Sequence, residues 1–338
     1  MLALFDVLFT SIKTLVSCLI SRQKLAHRSW RGEFIVRLAK SLLTRSIGKE
    51  FSWVRKRQAI LTLYSPELFK VKCRKLFIAG VPCIELVPKS LASPDKIILY
   101  IHGGGYAVGS AAGYQLMGAK LALRSQAKVI LVDYRLVPEH PLPAAQDDCY
   151  AVTLEYLKHK QDHSLILMGD SAGGALCLST LKRLQAHRAE QPYSAEDIAA
   201  CVLISPWLAP LNPEFLSLEN ETSDLIDKAI TDNWVSAFFQ SENLRGELDF
   251  SHVASLGLNK DIMPPVYLQV AGAEIFLKQN LHFAEQLQAS GFQIQLDVFE
   301  DQFHVFQTFA PLVPEAEHAL DKIAAFVSKI GSVKNKND

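Results

Sequence analysis

Short apolar runs alternate with helix-periodic stretches through most of this chain, and that alternation limits the folds open to it. The runs are Lys96 to Ile101, Lys128 to Tyr134, Ser164 to Met168, Cys201 to Ser205, Val266 to Val270 and Ile294 to Phe299. Helical periodicity covers Tyr114 to Arg124, Ala144 to Lys158, Ala172 to Ala186, Asn280 to Ala289 and Glu315 to Val327. Strands that are apolar on both faces must be covered on both. The pattern therefore predicts an α/β fold, a mostly parallel central sheet with helices on both faces. Val71 to Val87 predicts an earlier antiparallel pair turning at Ala79-Gly80. Residues 1–50 and 207–250 break the alternation, and we expect them to form a helical cap over the C-terminal edge of the sheet, where α/β sites lie. Residues 51–206 and 251–330 then make the core, and the polar residues 331–338 a flexible tail.

Composition narrows the function classes. Hydrophobic residues are 49% of the chain, enough for a large core. Lys+Arg and Asp+Glu are 35 each, so no net charge steers the protein toward nucleic acid. The six cysteines form no C-x-x-C pair and no zinc spacing. They are expected to be buried free thiols in a reducing, cytoplasmic setting, with no metal and no organic cofactor.

The first twenty residues carry an apolar helical stripe of Leu4, Phe5, Leu8, Phe9, Ile12, Leu15, Val16, Leu19 and Ile20. Asp6 and Lys13 interrupt any spanning run, no positive charge precedes the stretch and no small-residue cleavage site follows it, so neither a membrane span nor a signal peptide is expected. The preferred reading is an amphipathic helix packed on the protein's own body. The alternative is peripheral membrane or lipid contact, or a cover for a substrate mouth.

Three motifs carry chemistry. Gly169-Asp170-Ser171-Ala172-Gly173-Gly174 follows an apolar run and opens a helix. That is the context of a nucleophile elbow, a sharp strand-to-helix turn that strains the serine and needs small neighbours. The plainer reading is a tight turn with a capping serine. His102-Gly103-Gly104-Gly105-Tyr106 follows the run KIILYI. Its backbone N–H groups, with that of Ala172, suit the oxygen of a tetrahedral intermediate. A phosphate cradle is the rival, but neither G-x-G-x-x-G nor a helix-opening Gly-Lys-Ser/Thr is present. His102 reads as structural because it precedes the serine. The base should follow the nucleophile, and His304 sits in a loop after the last run. His252 lies in the cap-like stretch, and His282 and His318 fall within helical patterns. The acid should come from the loop after VYLQV, where Glu274 is the first carboxylate. Its plainer reading is a solvated glutamate at a helix start. Asp297, Glu300 and Asp301 are its rivals.

Together these motifs resemble the hormone-sensitive-lipase-like branch of the α/β-hydrolases, the bacterial esterase type with an HGGG motif. The likeness runs from about Lys96 to about Val327 and includes Tyr134-Arg135-Leu136-Val137-Pro138-Glu139-His140-Pro141. It implies the α/β-hydrolase fold and a Ser171, Glu274, His304 triad. It implies an oxyanion hole from Gly104, Gly105 and Ala172, with Gly103 as a further candidate. Members often carry an aspartate four residues after the acid, where this chain has Lys278, so local support there should differ. Residues 249–258 also fit the branch poorly.

The function expected is hydrolysis of short to medium acyl esters through an acyl-enzyme intermediate. The alternatives are an amide or N-acyl hydrolase and a non-catalytic ligand-binding receptor on the same scaffold. The partner expected is a small acyl ester, with a homodimer as a further option.

Overall fold

The computed structural model describes residues 10–18, 25–60, 65–158, 163–190, 192–238, 249–250, 252–253, 257 and 259–331. Eight strands make one sheet: β1 (Val71–Ile78), β2 (Val81–Pro88), β3 (Lys96–Ile101), β4 (Lys128–Val132), β5 (Ser164–Asp170), β6 (Ala200–Ile204), β7 (Val266–Ala271) and β8 (Ile294–Phe299). Their order is β1-β2-β4-β3-β5-β6-β7-β8. β1 pairs antiparallel with β2, and β2 with β4, while all later neighbours are parallel. The early hairpin and the parallel body both match the sequence pattern. Every residue of β5 and β6 is buried, which is why those runs lack polar alternation.

The helices are α1 (residues 10–18), α2 (Trp30–Thr44), α3 (Phe51–Ile60), α4 (Gln115–Ser125), α5 (Ala144–Lys158), α6 (Ala172–Ala186), α7 (Lys228–Phe238), α8 (Leu277–Ala289) and α9 (Pro314–Lys329). Crossovers between parallel strands are right-handed. The connection β3-α4-β4 runs one way along the sheet, whereas β4-α5-β5 and β5-α6-β6 run the other. Opposite directions with one hand put α4 on one face and α5 and α6 on the other. In agreement, α4 packs with α9, and α5 with α6. The chain therefore leaves β3 and its neighbour β5 toward opposite faces, and a crevice opens between their C-terminal ends. Register sets what borders it. Ile101 lies beside Gly169, so the glycine loop after β3 emerges next to Ser171.

The segments outside the alternation are tied to this edge. Ser29 caps α2 by accepting from the Gly32 N–H at 3.1 Å. Arg55 on α3 donates to the carbonyls of Ala107 and Val137 and pairs with Glu139.

α1 departs from expectation. Thr10, Thr14 and Cys18 are buried, while Ile12, Leu15 and Val16 are 53%, 38% and 49% exposed. Arg37 on α2 and Arg45 at its C-cap donate to the hydroxyls of Ser17 and Thr10, so α1 lies against α2 through polar bonds. The apolar stripe within residues 10–18 thus faces outward. Its other members, Leu4, Phe5, Leu8, Phe9, Leu19 and Ile20, lie outside the described residues, as do residues 239–248 and the tail 332–338. Among the described residues no helix is long and apolar enough to cross a membrane.

Candidate active site

Ser171 joins β5 to α6 at φ 51°, ψ −123°, a left-handed backbone that a side-chain-bearing residue rarely adopts. The turn is locked by its own backbone: the Ser171 N–H donates to the Ile204 carbonyl, and the Trp207 and Gly174 N–H groups donate to the Ser171 carbonyl. Its neighbours must be small because the chain doubles back. A Cβ on Gly169 would lie 2.5 Å from the Gly173 oxygen, and one on Gly173 would lie 2.1 Å from the Ile101 oxygen. Ser171 is not merely a capping serine, since its side chain makes no cap bond to α6.

The glycine loop after β3 is fixed by Asp170, a residue of the elbow motif to which sequence reasoning gave no role. Asp170 accepts from Tyr100 Oη at 2.8 Å, from Tyr114 Oη at 2.8 Å and from the Gly103 N–H at 3.0 Å. Burial pushes its carboxyl up to about 6, against the pull of those bonds. Gly103 therefore spends its N–H on Asp170. That corrects the expectation that it faces an oxyanion; the donor is already bonded. Gly103 matters instead for closeness, because a Cβ there would lie 2.3 Å from Asp170 Oδ2 and 3.0 Å from Ser171 Cβ. Among the described residues no acceptor takes the N–H of Gly104, Gly105 or Ala172. The first N–H groups of a helix have no partner within it, which leaves that of Ala172 for a ligand. His102 is structural, as expected: its ring stacks on Tyr134 at 4.4 Å and its Nδ1 bonds the Gly103 carbonyl.

Glu274 and His304 meet. Glu274 follows β7, His304 follows β8, and His304 Nδ1 lies 3.0 Å from Glu274 Oε2. Glu274 is fully buried and His304 is 3% exposed. Burial pushes the Glu274 carboxyl up to about 8, with Ser205 and the Ala271 backbone opposing. Burial pushes the His304 imidazole down to about 4, with Asp224 and Asp170 opposing. Mutual attraction within the pair works against both shifts. The other ring nitrogen, Nε2, is buried and has no partner among the described residues. It is the nitrogen left for a serine hydroxyl.

Two further groups border the site. Trp207, Trp234 and Phe276 cluster, with Trp207 5.5 Å from Phe276 and 6.0 Å from Trp234. Phe276 stands edge-on to His304 at 4.9 Å. Trp234 closes over the glycine loop, since a Cβ on Gly105 would lie 2.5 Å from its Cδ2. Asp224 is the other group. It is fully buried and accepts from the His304 N–H at 2.8 Å and the Ile275 N–H at 2.9 Å. Nothing in Thr222-Ser223-Asp224-Leu225 marks it in the sequence.

A family described as the α/β hydrolase fold matches residues 98–308. The chain belongs to the α/β-hydrolase family. This hydrolase is 30% identical over 270 residues to an esterase of Acinetobacter venetianus, covering 78% of this chain and 84% of that one. It is 30% identical over 243 residues to the carboxylesterase/phospholipase LipF of Mycobacterium tuberculosis, covering 69% of this chain and 61% of that one. A solved esterase from the bacterial hormone-sensitive lipase family superposes with a TM-score of 0.75 at 26% identity, covering 90% of this chain and 99% of that one. The hydrolase lies on the hormone-sensitive-lipase-like branch and is an enzyme of the carboxylesterase and lipase-like class.

The rival candidates sit elsewhere in the hydrolase. Asp297 accepts from Tyr267 Oη and pairs with Lys322. Asp301 accepts from the His27 N–H, and its carbonyl accepts from Arg28. Glu300 pairs with His27. His252 and His282 face each other beside Phe215, and His318 lies by Phe299. The Lys278 ammonium bonds the Glu214 carbonyl at 2.7 Å.

Proposed function

We propose that this hydrolase cleaves short to medium acyl esters, with Ser171 as nucleophile, His304 as general base and Glu274 as the acid partner. The carrying observation is the buried His304–Glu274 hydrogen bond with Nε2 left unpartnered. Ser171 attacks the ester carbonyl as Nε2 takes its proton. Glu274 holds the proton on Nδ1 and balances the imidazolium. The N–H groups of Gly104, Gly105 and Ala172 receive the oxyanion. His304 returns the proton to the leaving alcohol, and water releases the acyl group by the same route. Residues 1–50 and 207–250 act as a cap, and Trp234 over Gly105 is what supports a limit on acyl length. The relatives' names as esterases favour the ester over the amide reading. A receptor role is disfavoured, because the histidine is present and paired. The test is a panel of p-nitrophenyl esters of rising chain length run beside an anilide. Faster anilide cleavage would assign an amidase, and no turnover of either would favour the receptor.

The outward face of α1 supports contact with an anionic lipid surface. Residues 1–60 hold 12 of the chain's 35 Lys+Arg and 3 of its 35 Asp+Glu, a local balance of 12 − 3 = +9. Lys13 stands exposed beside Ile12, Leu15 and Val16. Basic and apolar side chains together are what binds such surfaces. The protein should sediment with phosphatidylglycerol vesicles, and Ile12→Ser with Val16→Ser should release it. A dimer with no vesicle binding would assign the face to a second copy.

A further inference from the structure

We infer that Asp224 is a positioning residue that sets the placement of acid against base, by joining the loop of Glu274 to the loop of His304. The inference rests on the triad reading above. Three N–H groups converge on this carboxylate. Oδ1 accepts from His304 and from Leu225 at 2.8 and 2.7 Å, and Oδ2 accepts from Ile275 at 2.9 Å. Ile275 follows the acid directly, so one side chain holds the backbone of the base and of the residue beside the acid.

The segment carrying Asp224 is stitched to the acid loop. Ser217 N–H donates to the Ile275 carbonyl, Asn220 Nδ2 to the Glu274 carbonyl, and Lys278 N–H to Ser217 Oγ. On its other side Arg28 joins the Ser223 carbonyl to the Asp301 carbonyl at 2.8 and 2.7 Å. Lys40 of α2 donates to the Asp224 carbonyl. The side chain of Lys278, four residues after the acid, is exposed and bonds the Glu214 carbonyl, so it does not brace these loops. The carboxylate that braces these loops comes from the segment before α7 instead.

Asp224 also acts through charge. The groups facing it are His304, Glu274, Arg28 and Lys40. Its charge favours the imidazolium of His304 against the burial that opposes it, in addition to the Glu274 charge beside the ring. Removing that charge should disfavour the imidazolium formed in the transition state and lower the pH at which the base protonates.

The test compares Asp224→Asn, Asp224→Ser and Glu274→Gln by steady-state kinetics across pH, with folded active sites counted by fluorophosphonate labelling. Both Asp224 variants should lose about tenfold or more in kcat with KM within about twofold, and their acid limb should move down by about 0.5 pH unit or more. A purely structural residue would lower the count of active sites without moving the limb. Unchanged kcat and limb in both, with Glu274→Gln inactive, overturns the role of Asp224 and leaves the triad standing. Normal kcat in Glu274→Gln overturns the triad itself. Failure of both Asp224 variants to fold makes Asp224 structural and also overturns the proposal.

Discussion

The acid is the group whose removal has the clearest arithmetic. Glu274→Gln keeps the shape of the side chain and an oxygen that can accept from His304 Nδ1, and deletes only the charge. That charge sits 3.0 Å from a ring that, in the proposed mechanism, becomes cationic in the transition state. At an effective dielectric of about 20, two unit charges so placed attract by about 5.5 kcal/mol. Losing all of it would slow the chemical step about 10⁴-fold. Part is recovered by the neutral hydrogen bond and by Asp224, so a loss of about 10² to 10⁴ in kcat is expected. KM should change little, because the pair does not bond the ground-state ester. Steady-state hydrolysis of p-nitrophenyl butyrate measures both. Stability should move the other way. A carboxyl held up to about 8 in the fold, against about 4.3 unfolded, binds its proton more tightly when folded. Its contribution is then present at low pH and lost as pH rises through the folded value. At neutral pH and above, Glu274→Gln should melt at or above the wild-type temperature. Near-normal kcat in Glu274→Gln, with Asp301→Asn inactive, would refute the reasoning and move the acid to Asp301.

Other perturbations test other parts. Ser171→Ala should abolish turnover and fluorophosphonate labelling while the melting temperature holds; labelling that survives counts against Ser171. Activity should rise with pH through one step at roughly pH 6 to 8. In the proposed mechanism the reactive pair is ionised Glu274 with neutral His304, net −1. Burial penalises that charge and the negative Asp170 and Asp224 add to the penalty, so proton uptake moves up. A flat profile, or a step undiminished in His304→Ala, would exclude the histidine as base. Trp234→Ala should raise kcat/KM for the octanoate relative to the acetate by roughly tenfold, since the indole limits space over Gly105. An unchanged ratio would mean that chain length is limited elsewhere.

The strands and the residues at their ends were legible because each obeys a local rule. β3 and β5 begin where the apolar runs begin, since strands buried on both faces admit almost no polar residue, and β8, a half-exposed edge strand, begins where its alternating run begins. β4 ends at Val132, before the run does, for a reason outside the run. The Asp133 carboxylate bonds the Ala111 N–H, and Tyr134 leaves the sheet to stack on His102 and donate to its carbonyl. Ser171, Glu274 and His304 could be proposed from the sequence because each lies beyond the C-terminal end of a strand, in an order the chemistry constrains.

What the sequence hid is of two kinds. Whether a backbone donor is free depends on a side chain that does not announce itself: Asp170 takes the N–H of Gly103 and leaves those of Gly104 and Gly105. A glycine triplet shows that backbone comes close to something, not which N–H is left over. The contacts of Asp224 and Arg28 have no local signature, because they join positions 51 to 273 residues apart through single bonds. α1 shows the same limit for a helix. Periodicity groups Ile12, Leu15 and Val16 on one face, but which face turns inward is decided by what α2 offers. α2 offers Arg37 and Arg45, which need acceptors, so Ser17 and Thr10 are drawn against it and the apolar face is left outside. An apolar stripe is therefore evidence of a face that needs covering, and only the partner surface shows whether the protein's own body covers it.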